Sequence, residues 1–526
     1  MILAVTVLIL LSTIENNGQS SKELANQSLQ TGITKYQKKD YEGALADFEK
    51  AVKENSKDYK YYRWIGRALE KLNRDGEAIE FYTKALLLNP NDTVSYKGRA
   101  ESRRMKKQFK EAIEDYNIVL ALTPNDLSML YGRGTALSEI GNNYKAIEDY
   151  TKFINIYPKN SLLYFARAGC YASTRQYENA KKDANRYLQM GGKDESANYY
   201  RGMANIFLGG NNPIMIDSAI IDLKRYTTSK EELNRNDYKG YQLLGVAYAK
   251  VGDSTNSRLS FKRSLELNPK SMTTYGRWGS SEVGFGNYKK ADELLSISYK
   301  MLNAPDGASS DFYYTFALAK VGLRDTVAAV DFFEKCIKAD SNRHDAYESR
   351  LSFIYSNPKY NRIILHDLQQ LIRLSYDEGQ KAEWYSMKSL IYYRGGQLDS
   401  ARSEVNKALG LMPNEPLHYM IRATVNATSN QPSEIVLKDI NKAIHLHPSS
   451  PEAYMLKASY YALKKDHQHG CEALKQALEM GANVPKDVRD YICKGKLPKG
   501  GKTPQLYVPL SPKLEKNLQD LNGPDW

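Results

Sequence analysis

The stretch YGRGTALSEIGNNYKAIEDYTKFINIYP, Tyr131 to Pro158, decides the fold because its parts recur along the chain. Ala44, Ala78, Ala112, Ala146 and Ala180 follow one another at intervals of 34 residues. Phe48, Tyr82, Tyr116 and Tyr150 stand four positions after the first four of them, and Pro90, Pro124 and Pro158 come twelve after an alanine. Spacings of three and four place side chains on one helical stripe. Proline cannot continue a helix, so it marks a joint. A period of this length is the signature of stacked supersecondary units. An arginine and an acid keep the same register: Arg99 with Asp115, Arg133 with Asp149, Arg167 with Asp183. A catalytic pair normally occurs once. A pair repeated with the unit suggests architecture.

The quintet Gly66, Ala78, Tyr82, Ala85 and Pro90 resembles the tetratricopeptide repeat, whose 34-residue unit has small residues at positions 8, 20 and 27, an aromatic at 24 and proline at 32. Gly134, Ala146, Tyr150 and Pro158 match four of these, with Phe153 at the fifth. The register runs on through Gly245, Phe261 and Pro269, then Ala401, Ala408 and Pro413, to Ala477, giving about thirteen units. The resemblance implies an all-α fold, a right-handed superhelical α-solenoid of antiparallel helix pairs with a concave groove. Residues 1–18 read as a signal peptide, 19–24 as a linker, 25–481 as the array, 482–493 as a terminal capping helix and 494–526 as a Pro/Gly-rich tail. GGNNPIM (Gly209 to Met215) enlarges one turn, LNAPDGASS (Leu302 to Ser310) lengthens one joint, and Asn361 to Leu374 is degenerate.

One helix pair cannot bury its apolar face alone, but stacked neighbours bury it continuously. Small residues let axes approach, and the ring at position 24 fills the gap between them. Arg133 is position 7 and Asp149 position 23, so each lies roughly 12 Å from the turn at a rise of 1.5 Å per residue. They can meet. Arg201/Asp222, Arg350/Asp367, Lys388/Glu404 and Arg422/Asp439 continue the series, whereas apolar residues replace both members at Ile65/Phe81 and Phe316/Phe332. Thr31/Asp47 and Lys457/Ala473 break the rule.

The chain of 526 residues is 42% hydrophobic and 26% charged, which describes a folded chain rather than a disordered one. Its 40 tyrosines suit half-buried helix contacts with the hydroxyl wet. A net charge of +13 over this length is mild, and no nucleic-acid module stands out. The opening MILAVTVLILL is too short to span a bilayer but resembles a secretory signal core, though no Lys or Arg precedes Lys22. No second long apolar stretch follows, so no transmembrane span is expected. Cys170 and Cys336 read as inert core residues, while Cys471 and Cys493 are candidates for a disulfide in an oxidising compartment.

No enzyme signature emerges. The seven histidines, including HLH (His445 to His447) and HQH (His467 to His469), lack helical zinc spacing and read as solvated loop residues. No catalytic residue, metal or cofactor is expected. In the family the resemblance points to, the first helix of each unit lines the groove at positions 2, 5, 9, 12 and 13. Here those positions give a basic stripe, Lys60, Arg63, Arg67, Lys71, Lys97 and Arg104, suited to an acidic peptide. The asparagine pair of the family's carboxylate clamp is replaced by Arg67 and Glu101. Further along come Tyr131, Phe165, Tyr199 and Met203, readable as binding anchors or as inter-repeat packing. LYVPL (Leu506 to Leu510) is the apolar knot of the tail. The expected function is a non-catalytic protein-interaction scaffold in the bacterial envelope, probed against a cytoplasmic adaptor or co-chaperone of the same architecture. Protein or peptide partners are expected, nucleic acid is not, and the oligomeric state stays open.

Overall fold

Each pair of helices is punctuated where the repeat predicts. Position 34 carries a capping residue: Asp58 accepts from the Lys60 amide, Asp126 from those of Ser128 and Met129, and Asn160 from that of Leu162. Asp and Asn satisfy amides that a helix start leaves open. The first helix ends at position 15 on a left-handed residue, with φ of 59° at Asn73, Lys107 and Arg175 and 79° at Gly141. That conformation stops a helix and turns the chain back.

The computed structural model describes residues 21–233, 237–302 and 307–496. All regular structure among them is helical, and helices pack consecutively in antiparallel pairs. The chain divides into two compact units, Met1–Ser271 and Met272–Trp526. Among the described residues the first holds seven pairs, beginning with helix 21–37 and Tyr41–Glu54 and ending with Tyr238–Lys250 and Ser254–Leu267. The second holds six pairs, from Met272–Gly284 and Tyr288–Lys300 to Pro451–Leu463 and His467–Glu479, followed by a last helix, Lys486–Lys494. MILAVTVLILL, the middle of LNAPDGASS and LYVPL lie outside the described residues.

The ring at position 24 is wedged between glycines of two successive pairs. A Cβ on Gly66 would lie 2.8 Å from Cε1 of Tyr82, and one on Gly98, in the next pair, 2.2 Å from its Cζ. Tyr82 and Tyr116 are fully buried, as are the alanines at position 20. The helices therefore approach as closely as they do because two Cβ atoms are missing.

Four details differ from the sequence reading. Residues 21–24, expected as linker, already form the first turn of helix 21–37. The terminal helix starts at Lys486 rather than 482, because Pro485 lacks an amide and serves as its cap. The turn at Gly209–Asn212 is followed by a helix of 20 residues, Pro213–Glu232, with Asn212 accepting from Ile214 and Met215 amides. His418 is no solvated loop residue: it lies buried in helix Pro416–Thr428, its Nδ1 hydrogen-bonded to the Ser386 hydroxyl at 2.8 Å.

Candidate functional site

The repeating ions come first because they hold the face that carries the site. Arg133 donates from Nε and Nη2 to the two oxygens of Asp149 at 2.8 and 2.6 Å. Arg99 forks onto Asp115 at 2.9 and 2.7 Å, and Arg167 onto Asp183 at 2.6 and 2.9 Å. Arg201/Asp222, Arg350/Asp367 and Arg422/Asp439 repeat the geometry. Lys388 is a point charge and behaves differently: it stands 3.4 Å from Glu404 and gives its hydrogen bond to Gln369. Every one of these aspartates is buried. Burial pushes the Asp183 and Asp367 carboxyls above the ordinary range even with a guanidinium bound. Desolvation therefore offsets much of the attraction, and the fork's main effect is to fix register.

Sequence reasoning missed the third arm of each fork. The remaining nitrogen, Nη1, reaches back to position 25 of the preceding pair: Arg99 to Thr83, Arg133 to Asn117, Arg167 to Thr151, Arg201 to Asn185. The signal was legible, a short polar acceptor two residues after each acid or its counterpart. It accounts for one of the two rule-breakers, and a substitute cation for the other. Lys457, with Ala473 opposite, donates to Asn441 of the preceding pair. Asp47, with Thr31 opposite, takes Lys35 at 2.8 Å instead. Where the pair is apolar the same slot is filled by packing, as with the Phe316 and Phe332 rings, stacked at 4.0 Å.

The basic stripe needs correction as a row of free charges. Arg63 binds Asp92 at 2.9 Å, Lys97 binds Asp126 at 2.5 Å and Arg104 binds Glu101 at 2.8 Å. Positions 5 and 34 thus neutralise each other twice, the acid being the capping residue of the next helix. Lys60 and Lys71 are exposed, and Arg67 lies against the rings of Trp64 and Tyr36.

Tyr131, Phe165 and Tyr199, all at position 5 of successive pairs, come together on one cavity of about 610 Å3 within the first unit. Position 2 adds Leu162, Ser196 and Lys239, position 9 adds Thr135, Gly169 and Met203, and positions 12 and 13 add Ser138, Glu139, Ala172 and Ser173. These are the positions the family resemblance assigns to a groove. Phe165 lies 5.1 Å from the Tyr187 ring and 5.7 Å from that of Tyr200, and Tyr199 lies 5.0 Å from that of Tyr226. The Tyr226 hydroxyl is fixed by Asp237 and that of Tyr150 by Thr135. Gly169 keeps the wall thin, since a Cβ there would sit 2.9 Å from the Tyr200 hydroxyl. Tyr131 is 39% exposed and Leu162 55%, so the cavity opens with apolar groups at its mouth. It offers ring faces for one apolar side chain, with hydroxyls around it for backbone contacts.

Cys170 and Cys336 are buried, and burial pushes both thiols up. Cys471 and Cys493 form a disulfide joining the last pair to the terminal helix.

Tetratricopeptide-repeat profiles match residues 29–93, 127–160, 238–271, 310–343 and 451–482. The chain carries tetratricopeptide repeats. Repeats of this family make protein-interaction scaffolds, and the chain is one of them. Among solved structures, a tetratricopeptide repeat protein from Parabacteroides merdae aligns at 18% identity over 52% of this chain and 99% of its own, with a TM-score of 0.34. The C-terminal part of a repeat protein from Cytophaga hutchinsonii aligns at 19% identity over 48% and 97%, with a TM-score of 0.38. The Cut9–Hcn1 hetero-tetramer structure aligns at 14% identity over 90% and 96%, with a TM-score of 0.30. No curated protein matches. Among the described residues, no helix of this repeat protein is long and apolar enough to cross a membrane.

Proposed function

We propose that this protein is a non-catalytic scaffold of the bacterial envelope that seats an apolar side chain of a partner in the aromatic cavity between the fourth and seventh pairs. The observation that carries the reading is the convergence of position 5 rings from three successive pairs on one open cavity. Rings at the centre of a contact, with a polar rim, are the usual anchors of binding energy. Placement outside the cytoplasm is supported by the apolar run at residues 1–11 together with the Cys471–Cys493 disulfide, since such bonds persist in oxidising compartments.

Crosslinking and co-purification from the native host test the site. Phe165→Ala and Tyr199→Ala should each weaken the dominant partner by about 2 kcal/mol or more, with thermal stability changed far less than binding. Recovery equal to wild type in both variants overturns the cavity as the site. The mass of the mature N-terminus tests the compartment: an intact Met1 overturns export and leaves the cytoplasmic adaptor.

A further inference from the structure

Arg67 differs from the other arginines on the groove face. Arg63 has Asp92 and Arg104 has Glu101, but Arg67 has no ion-pair or hydrogen-bond partner among the described residues. Its guanidinium is held on aromatic faces, 4.3 Å from the centroid of Trp64 and 5.4 Å from that of Tyr36. Ring contacts fix the plane of a guanidinium without consuming its donors. The result is a cation placed in advance, with its N–H fork unspent.

Lys60 and Lys71, both exposed, lie on the same helix at positions 2 and 13, with Arg67 at position 9. Neither lysine forms an ion pair among the described residues, and the nearby Glu70 carboxylate, which feels the charges of Lys71 and Arg67, takes its hydrogen bond from the Tyr82 hydroxyl. By register all three share the face that lines the aromatic cavity two pairs further on. From Lys60 to Lys71 the helix rises about 16 Å.

We propose that helix Tyr59–Lys71 is an anion subsite for a run of side-chain carboxylates, about five residues long in extended form, in the segment whose apolar residue the cavity takes. The length decides between sources of charge. A single chain-terminal carboxylate reaches one of the three cations, whereas an acidic run reaches them all. A nucleic acid is disfavoured by number, because tight phosphate binding draws on roughly 6–10 contacts and this helix offers three cations. The inference rests on the groove reading above, and the experiment separates the two.

The probe is a fluorescein-labelled synthetic peptide with four glutamates, a Gly-Ser spacer and a phenylalanine, titrated by anisotropy against the full chain. Arg67→Met, and separately Lys60→Gln with Lys71→Gln, should each raise Kd about tenfold. The peptide with glutamine for glutamate should bind wild type no better than the glutamate peptide binds the lysine variant. Unchanged Kd in the lysine variant overturns the subsite, and that variant decides even if Arg67→Met fails to fold, because Lys60 and Lys71 hold no ring in place. A uridine oligonucleotide that displaces the peptide more efficiently than unlabelled peptide also overturns it. Loss of binding in Phe165→Ala beside indifference to the charge variants removes the anion subsite and leaves the groove reading intact.

Discussion

A guanidinium that ties a buried carboxylate of its own pair to an acceptor on the pair before behaves as a gauge of register more than as a source of stability. Asp149→Ala leaves Arg133, whose side chain is 20% exposed, without the carboxylate it forks onto and should cost about 1.5–3 kcal/mol. Arg133→Ile with Asp149→Phe, the residues already used at Ile65 and Phe81, should cost clearly less, and equal denaturation midpoints for the two variants would refute the coupling. Asn117→Ala removes only the back-reaching arm and should cost about 1 kcal/mol. His418 sets a second residue-scale expectation. Burial pushes its pKa from 6.5 down to about 4, so the fold keeps it neutral while the unfolded chain takes up a proton. Stability should therefore be unaffected above pH 6.5 and decline as pH falls from there toward 4, by up to about 3 kcal/mol. Chemical denaturation of wild type and His418→Gln at pH 7 and 4.5 reads this directly. Parallel losses in the two proteins would assign the acid sensitivity elsewhere.

Between elements, the decisive contact is a ring clasped by two glycines. Gly98→Ala pushes a methyl into Tyr82 and should destabilise by about 1–3 kcal/mol. Tyr82→Leu in the same chain should recover part of that loss in thermal melts, because the branched side chain no longer reaches the new Cβ. Gly76, whose Cβ would meet nothing within 4 Å, is the control. These contacts were legible in the sequence because glycine, alanine and tyrosine recur in phase, and the fork partners were legible because charge covaried within the chain itself. What the sequence hid was geometry that depends on distances between pairs. Position 25 recurs visibly as a short polar residue, but nothing local shows that the arginine of the following pair reaches it. The neutralisation of Arg63 and Lys97 by Asp92 and Asp126 was hidden for the same reason, since capping aspartates announce helix starts and say nothing of a second partner. His418 carried no local mark at all; only its packing against Ser386 separates it from a loop histidine.

For the molecule as a whole, stability is a sum of pair energies and nearest-neighbour interfaces. Removing the Cys471–Cys493 bond should then act at the end of the array alone. A closed loop of this size is worth about 3 kcal/mol in the chain-entropy account. Cys471→Ser with Cys493→Ser should raise hydrogen exchange in Lys486–Lys494 and His467–Glu479 while leaving Pro416–Thr428 protected. Uniform deprotection across the second unit would show that the terminal helix anchors more than its neighbours. The net charge of +13 is likewise a poor guide at this scale, because so many of the cations are spent inside the fold. What distinguishes Lys60, Arg67 and Lys71 is that one helix carries all three on one face.

The backward reach of the forks constrains how such a chain can grow. Each guanidinium from Arg99 to Arg201 closes on an acceptor contributed by the unit before it, so a tandem duplication of 34 residues cut anywhere between the third and sixth pairs leaves every clasp complete. A copy one residue shorter strands a charge at the seam. Selection on gene length in this block should thus tolerate whole-module gains and purge frame-preserving deletions of a few codons, even on helix faces that meet only water.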